Sequence, residues 1–398
     1  MRSRWLWTVV VVVVCIAVVA AVVGCARKPA GPPTPTAEPY RIGAMFDYTG
    51  NAAPLGEPER KTAQLLQEQI NAAGGINGHP LEILIEDSKS EEQQAVLVAN
   101  KFIDEGVLAI VGPSTSGTTL AIIDTVQKAQ VPLLSCAASI KITQPWQDRK
   151  WVFKTPQSDA DALRRLIDYM KPRNLKRIGF IYDSNPFGTS GLEQAEKLLP
   201  QAGIQIVVKE PFGTDETVMT THVTNLLKAK PDAVICWGTN PGPARIADAM
   251  YKMKVKLPLL MSHGVANREF IELAGEGANG VVLPAGRLIV ADQIPDTDLQ
   301  KKALLEYAKA YEGKFKEPAN TFGGHARDAI ELAVKGLRAV GPDRAKLRDA
   351  LEGTKGFVGI GGIFNYSPED HNGLTKDAFV LVQIEDGQWK MIQETPQK

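Results

Sequence analysis

Hydroxyl-bearing residues follow two neighbouring apolar segments of the chain, and together they could bind a carboxylate. Segment 107–112 runs into Gly-Pro-Ser-Thr-Ser-Gly-Thr-Thr (112–119), and segment 131–135 runs into Cys-Ala-Ala-Ser (136–139). If both segments are parallel strands, their carboxyl ends meet at one edge of a sheet, which is where open α/β sheets bind ligands. Backbone N–H groups at the start of a helix, with hydroxyls beside them, suit an anion. The same residues could instead serve only as helix N-caps.

Nine short apolar segments alternate along the chain with stretches in which apolar residues recur every three or four positions. Nearly continuous segments of Val, Ile and Leu are typical of strands buried on both faces, and the recurring spacing is typical of helices that bury one face. This alternation predicts parallel sheets with right-handed crossovers. The nine segments are residues 41–46, 81–87, 107–112, 131–135, 177–182, 204–208, 232–237, 258–262 and 281–284.

Nine strand–helix units are too many for a single sheet of ordinary size. The sequence therefore predicts an α/β fold with two doubly wound parallel-sheet lobes. The predicted first lobe comprises residues 40–156 and 287–355, and the predicted second lobe comprises residues 157–286 and 356–398. The lobes would be joined by a three-crossing hinge, with crossings near residues 156–161, 284–287 and 354–363. The last part of the chain alternates apolar and polar residues, which predicts a hairpin that turns at Asp386-Gly387.

The first residues of the chain have the features of an export signal. Two arginines precede an uncharged apolar run over residues 5–24, so residues 1–24 are predicted to be a signal peptide. The run ends in Val-Val-Gly-Cys, which resembles a bacterial lipobox and implies cleavage before Cys25 and lipidation of that residue. The run is also long enough to remain as a membrane anchor. Residues 25–39 are rich in proline and predict an extended tether. In either case the body of the protein would lie in the cell envelope, outside the cytoplasmic membrane.

The composition excludes several classes of function. Lys+Arg and Asp+Glu both total 45, so no basic excess indicates nucleic-acid binding. Four cysteines are too few for a disulfide framework, and Cys136 and Cys236 are expected to be free. The histidines show no metal-ligand spacing, so we predict no metal and no cofactor. His325 stands at the start of a predicted helix, where capping is its expected role, although it could line a cleft. The GxGxxG match at 275–280 follows a helix and precedes a strand, which is the reverse of the dinucleotide-binding order.

Four segments resemble the leucine/isoleucine/valine-binding protein family, the extracytoplasmic solute receptors of ABC importers. They are QINAAGGINGHPLEILIEDSKS (69–90), AIVGPSTSGTT (109–119), VPLLSCAAS (131–139) and IYDSNPFGTSG (181–191). The resemblance extends over about residues 40–390. It implies the type I periplasmic binding protein fold, a monomer whose lobes close on an amino acid or related small carboxylate, and a membrane permease as partner. It also implies that the protein has no catalytic activity.

The resemblance implies three contacts from the first lobe to the polar end of a ligand. Ser116 and Ser139 would hold the ligand carboxylate, and Ala137 would offer its carbonyl oxygen to an amine or a hydroxyl. These three residues belong to the two hydroxyl-rich stretches that follow the apolar segments.

The resemblance also implies residues that would enclose the body of the ligand. Leu55 has the position of an apolar or aromatic wall, and Phe187 and Thr239 have the positions of contacts from the second lobe. Phe187 could instead be an ordinary buried core residue.

One position departs from the pattern that the resemblance implies. Amino-acid receptors of this family place an acid near the end of segment 258–262, where it pairs with the α-ammonium group, but this chain has His263. A neutral imidazole supplies no negative charge, and loss of the partner of a buried charge costs about 2–5 kcal/mol. Asp47 or Asp183 could supply the charge instead, the ligand could lack an ammonium group, or His263 could be a structural residue satisfied by the backbone.

These observations favour a membrane-tethered solute-binding receptor of an ABC importer, whose ligand is an amino acid or a related small carboxylate. His263 points to an aromatic or other non-zwitterionic carboxylate. A ligand-sensing lipoprotein with the same pocket is the alternative. An enzyme is disfavoured because no nucleophile–base set is visible in the sequence.

Overall fold

The computed structural model describes residues 37–393 as an α/β protein with two lobes, each built on its own sheet. The predicted signal peptide at 1–24, Cys25 and most of the tether lie outside the described residues. The predicted architecture of two mainly parallel sheets with helices on their faces is confirmed. Cys136 and Cys236 are both buried and free, as predicted.

The first lobe contains a five-stranded sheet in which every pair of neighbours is parallel, in the order β2-β1-β3-β4-β5. Its strands are β1 (Tyr40–Phe46), β2 (Leu81–Asp87), β3 (Ala109–Val111), β4 (Leu133–Ser135) and β5 (Val152–Lys154). Its connecting helices are α1 (Ala53–Ala72), α2 (Glu92–Asp104) and α3 (Ser116–Ala129). Strand β1 has Ile42, Ala44 and Phe46 fully buried, because helices cover both faces of the sheet.

The second lobe contains a seven-stranded sheet in the order β14-β13-β10-β9-β8-β6-β7. Its strands are β6 (Arg177–Asp183), β7 (Gln205–Phe212), β8 (Ala233–Trp237), β9 (Leu259–Met261), β10 (Val282–Gly286), β13 (Phe379–Glu385) and β14 (Gln388–Met391). Its helices are α4 (Asp159–Met170), α5 (Pro186–Leu198), α6 (Thr220–Lys228), α7 (Gly242–Lys252) and α8 (Arg268–Ala274). Strands β13 and β14 form the predicted hairpin, and Asp386 and Gly387 both have the positive φ that a tight hairpin turn requires.

The last third of the chain is shared between the lobes. It contains α9 (Lys301–Phe315), α10 (Thr321–Val340), α11 (Arg344–Glu352) and the short strands β11 (Phe357–Val358) and β12 (Ile363–Phe364). Helix α10 packs along α1 of the first lobe. Helix α9 places Leu304, Tyr307 and Tyr311 in the hydrophobic cluster that covers the second sheet.

Two lobe boundaries differ from the predicted ones. Residues 287–315 were expected in the first lobe, but their buried side chains pack mainly with the second. The third crossing was expected near 354–363, whereas Phe364, Tyr366 and Leu374 belong to the core of the first lobe and the chain joins the second sheet only at Phe379. The prediction placed boundaries at glycine-rich stretches, but burial of these apolar side chains decides to which lobe a segment belongs.

Candidate functional site

A cavity of about 260 Å3 lies between the lobes, at the carboxyl ends of strands from both sheets. Ligands of open α/β sheets bind at this edge, and we refer to this space as the interlobe cavity. Six of the seven predicted ligand-binding residues line it, namely Leu55, Ser116, Ala137, Phe187, Thr239 and His263. Ser139 is fully buried and does not line the cavity.

The start of α3 forms the polar end of the interlobe cavity. Thr115 is the N-cap, because its hydroxyl accepts a hydrogen bond from the N–H of Thr118 at 3.3 Å. Ser116 is therefore not needed as a cap, which removes the alternative that it serves only that role. Its hydroxyl accepts from the N–H of Ser139 at 3.3 Å, and among the described residues no acceptor takes its own proton. The hydroxyl of Ser116 is thus placed to donate into the cavity.

Ser139 contacts Ser116 through its N–H and does not line the interlobe cavity. Its hydroxyl donates to the hydroxyl of Ser190 on α5 at 2.7 Å, and Ser190 in turn donates to Asp159 at the start of α4. The three side chains are buried, and they join the first lobe to the second. Burial raises the pKa of Asp159. Sequence reasoning did not identify Ser190 or Asp159, because a serine inside a helix and an acid in the first turn of a helix are common in any protein.

Ala137 follows β4 and lines the interlobe cavity. Its N–H donates to the hydroxyl of Ser135 at 3.1 Å, which fixes the turn after the strand. None of the hydrogen bonds described for residues 37–393 uses its carbonyl oxygen. That oxygen is therefore available as an acceptor.

Leu55 of the first lobe and Phe187 of the second lobe form apolar walls of the cavity. Phe187 is held by Asn185, whose side-chain oxygen caps α5 by accepting from the N–H of Phe187 at 3.0 Å. The ring packs against Trp237 with 6.0 Å between centroids, so Phe187 is both a core residue and a lining residue. Phe322 at the start of α10 adds a further aromatic surface that the sequence reasoning missed.

His263 is buried, and its imidazole ring packs among aromatic rings. It follows β9, and its ring lies edge-on to Phe187, Trp237 and Phe379, at centroid distances of 5.6, 6.2 and 5.2 Å. Among the described residues, neither ring nitrogen has a partner, which contradicts the alternative of a histidine satisfied by the backbone. Burial, reinforced by the nearby charge of Lys154, lowers the pKa of His263 to about 3. The ring is therefore neutral at physiological pH.

Neither acid that could replace the missing negative charge reaches the cavity. Asp47 accepts hydrogen bonds from Ser88, from the N–H of Thr115 at 2.9 Å and from the hydroxyl of Thr118. Asp183 accepts from the N–H of Asn185 at 3.0 Å and from the hydroxyl of Thr214 at 2.7 Å. Neither residue lines the cavity.

The cavity lining contains one carboxylate among the described residues, and it is exposed. This residue is Glu92 in the first turn of α2. An exposed carboxylate interacts with a charged ligand only weakly, because water screens the attraction. No buried acid therefore faces the interlobe cavity in residues 37–393.

His325 was expected to cap a helix, but the structure gives it another position. Asn320 is the cap of α10, since its side-chain oxygen accepts from the N–H of Gly323 at 3.1 Å. His325 lies one turn further on, is buried and lines the cavity. Burial and the charge of Lys154 lower its pKa to about 3. The buried side of the cavity thus has two neutral imidazoles.

Comparison with known proteins identifies the family. The family model described as "Periplasmic binding protein" matches residues 39–388. The chain belongs to the periplasmic binding protein family. This confirms the resemblance to the Leu/Ile/Val-binding proteins and the prediction that the protein is not an enzyme, since the family consists of solute-binding receptors.

Two curated periplasmic binding proteins show the extent of the similarity. The leucine-, isoleucine-, valine-, threonine- and alanine-binding protein of Pseudomonas aeruginosa is 26% identical over 344 residues, which cover 83% of this chain and 88% of the relative. The Leu/Ile/Val-binding protein of Escherichia coli is 25% identical over 306 residues, which cover 76% of this chain and 80% of the relative. The similarity therefore extends over both lobes.

Solved structures confirm the type I periplasmic binding protein fold. An extracellular ligand-binding receptor from Rhodopseudomonas palustris is 25% identical and aligns with a TM-score of 0.84 over 90% of this chain and 100% of the receptor. The branched-chain amino acid transporter substrate-binding protein of Streptococcus pneumoniae, solved with isoleucine, is 25% identical and aligns with a TM-score of 0.78 over 89% of this chain and 99% of that protein. Periplasmic binding proteins act outside the cytoplasm. Among residues 37–393, none of the helices combines the length and apolarity needed to cross a bilayer.

Proposed function

We propose that this periplasmic binding protein is the receptor of an ABC importer for a small carboxylate that has an apolar or aromatic body and no ammonium group. The receptor captures this solute between its lobes and delivers it to a permease in the membrane. The observation that carries the proposal is His263, a buried and neutral residue at the position where the resemblance to the Leu/Ile/Val-binding proteins implies an acid for the α-ammonium group. A zwitterionic amino acid would leave its ammonium group without a buried counter-charge.

The opposite end of the interlobe cavity suits an anion. Ser116 and Gly117, the first two residues of α3, line it, and a helix N-terminus attracts negative charge. Lys154 is fully buried, and its ammonium group donates at 2.6 Å to the carbonyl oxygen of Ala138, a residue of the cavity lining. Burial lowers the pKa of Lys154 to about 8, so the residue is still mostly protonated at pH 7. Its positive charge favours a carboxylate and opposes an ammonium group in the cavity.

Titration calorimetry of the protein without substitutions tests this proposal. Benzoate, phenylacetate and 3-phenylpropionate represent carboxylates without an ammonium group, and leucine, isoleucine and phenylalanine represent zwitterions. We expect at least one of the former to bind with a micromolar or tighter Kd, and the amino acids to bind at least 30-fold more weakly, since an unpaired buried charge costs about 2–5 kcal/mol. Micromolar binding of leucine, with no binding of the simple carboxylates, would overturn the proposal.

Ser116→Ala is expected to weaken binding of the carboxylate by about 1.5–3 kcal/mol, because it removes a hydrogen bond to a charged group. The midpoint of thermal unfolding without ligand should hardly change, since Thr115 caps the helix. Thr115→Ala is the matched control, and it should cost about 1 kcal/mol of stability by removal of the cap. If Ser116→Ala lowers stability and leaves the affinity unchanged, Ser116 has a structural role only.

We further propose that the receptor is a monomer held in the cell envelope by lipid on Cys25, with residues 25–39 as a tether. The support is the Val-Val-Gly-Cys ending of the apolar run and the proline-rich composition that follows it. Mass spectrometry of the native protein should find Cys25 as the first residue, carrying the mass of lipid. A chain that retains Met1 and an unmodified Cys25 would contradict the lipid anchor and indicate an uncleaved anchor instead.

A further inference from the structure

We propose that the ligand carries a hydroxyl group in addition to its carboxylate, and that Asn240, His263 and His325 receive it in the interlobe cavity. The inference rests on the proposed function, because it assumes a carboxylate at the start of α3. It adds a second recognition point, which would distinguish hydroxylated carboxylates from their parent acids.

The three residues share an unusual combination of burial and unmatched polar atoms. Asn240, His263 and His325 are only 2%, 7% and 5% exposed, and all three line the cavity. Among the described residues, no partner is found for Oδ1 of Asn240, for either ring nitrogen of His263 or for Nδ1 of His325. Buried polar atoms in native proteins nearly always have a hydrogen-bond partner, and those that lack one deserve a functional explanation. Their common position on one cavity indicates that the ligand is that partner.

The backbone brings the three residues together from three elements. Strands β8 and β9 are adjacent and parallel, so Asn240 and His263 follow neighbouring strand ends. The turn that contains His263 packs closely on the loop that contains Asn240, since a Cβ added to Gly264 would lie 2.6 Å from the carbonyl oxygen of Gly238. Helix α10, which carries His325, is joined to the same turn through the hydroxyl of Thr321, which donates to the carbonyl oxygen of Ala266 at 3.2 Å.

The orientation of the Asn240 amide is determined by its neighbour. Oδ1 of Asn267 caps α8 by accepting from the N–H of Phe270 at 3.1 Å, so this atom is an oxygen. It also accepts from Nδ2 of Asn240 at 2.9 Å. The remaining atom of the Asn240 amide is therefore its oxygen, a buried acceptor that has no partner among the described residues.

The histidines complement this acceptor with a donor. A neutral imidazole has one N–H donor and one nitrogen acceptor, and burial keeps both rings neutral because it lowers both pKa values to about 3. A hydroxyl group donates one hydrogen bond and accepts others, so it can satisfy the Asn240 oxygen and an imidazole N–H at once. A second carboxylate would face the Asn240 oxygen without a donor, a carbonyl would leave that oxygen unpaired, and an ammonium group would find no negative charge. A hydroxyl, which donates and accepts at a single atom, fits this set.

Calorimetry with matched pairs of acids tests the inference. The pairs are benzoate with its 2-, 3- and 4-hydroxy isomers, phenylacetate with its 3- and 4-hydroxy isomers, and pentanoate with 5-hydroxypentanoate. A site built to hydrogen-bond a hydroxyl discriminates strongly against the analogue that lacks it. We expect one hydroxylated member to bind at least tenfold more tightly than its parent.

His263→Phe should remove this preference while it keeps the aromatic packing with Phe187, Trp237 and Phe379. We expect the ratio of the two affinities, hydroxylated acid to parent acid, to fall at least tenfold. His325→Phe is the second variant, which decides the question if the first fails to fold. His79→Phe is the matched control, since His79 stacks on Tyr40 outside the cavity lining, and it should leave both affinities unchanged.

The outcomes separate this inference from the proposed function. If the parent acids bind and no hydroxylated member binds more tightly, the inference is overturned and the proposed function stands. If leucine binds and no acid in the panel does, both are overturned. If no compound in the panel binds, the inference is overturned as well. A hydroxyl preference that persists in both histidine variants would contradict the roles assigned to these residues.

Discussion

Replacement of His263 by glutamate should change the receptor from one that excludes zwitterionic amino acids into one that binds them. The variant would place a carboxylate on the buried turn after β9, where the imidazole now has no hydrogen-bond partner among the described residues. An α-ammonium group would then gain a buried counter-charge, and a solute without one would leave the new carboxylate unpaired. We expect leucine or phenylalanine to gain about 2–5 kcal/mol in binding, or about 30-fold to several-thousand-fold in affinity. Aromatic carboxylates should lose affinity.

Calorimetric titration of natural and variant protein with leucine, phenylalanine, benzoate and phenylacetate measures both effects. His263→Gln is the matched control, because it has the size of glutamate and no charge, so leucine should gain nothing. If leucine already binds the natural protein at micromolar concentration, the assumption that no buried charge is available is wrong. Because Asp47 and Asp183 do not line the cavity, the ammonium group would then have to be paired with the exposed Glu92.

The sequence was sufficient to predict the architecture and several residues of the cavity lining. The apolar segments identified the parallel strands, because a strand buried on both faces must be apolar almost throughout. The ends of such strands indicated the two hydroxyl-rich stretches that contain Ser116 and Ala137, and the resemblance to the family singled out these two residues. The resemblance to the family supplied Leu55, Phe187 and Thr239, and all five residues line the interlobe cavity.

Other features depend on contacts between distant parts of the chain and could not be predicted. Ser139 was expected beside the ligand, but it is turned to Ser190, which lies 51 residues away in sequence on the other lobe. His325 was expected to cap a helix, and its burial against the cavity results from the packing of α10 on the first lobe. A polar residue carries no sequence signal that reports whether a partner is present, so unpaired buried atoms become visible only in three dimensions.

The second large effect, on stability, is expected at Gly112, where two backbone segments approach each other closely. Gly112 follows β3 and begins the stretch that leads to Ser116. A Cβ at this position would lie 1.9 Å from the carbonyl oxygen of Met45 in β1, and the residue has a φ of +87°. Both the contact and the dihedral angle therefore require glycine.

Gly112→Ala should destabilise the protein by about 3 kcal/mol or more, from about 1–2 kcal/mol for the left-handed conformation and about 1–3 kcal/mol for a contact that only backbone movement can relieve. Gly106→Ala separates the two causes, because Gly106 has a φ of +74° and an added Cβ there would meet nothing within 4 Å. It should cost only the conformational part, about 1–2 kcal/mol. Urea unfolding of both variants measures the difference, and a Gly112→Ala protein that does not fold while Gly106→Ala does would agree with the prediction. Equal losses of unfolding free energy in the two variants would contradict the prediction. They would show that β1 moves to accommodate the added methyl group, so that the contact with Met45 does not fix the stretch from Gly112 to Ser116.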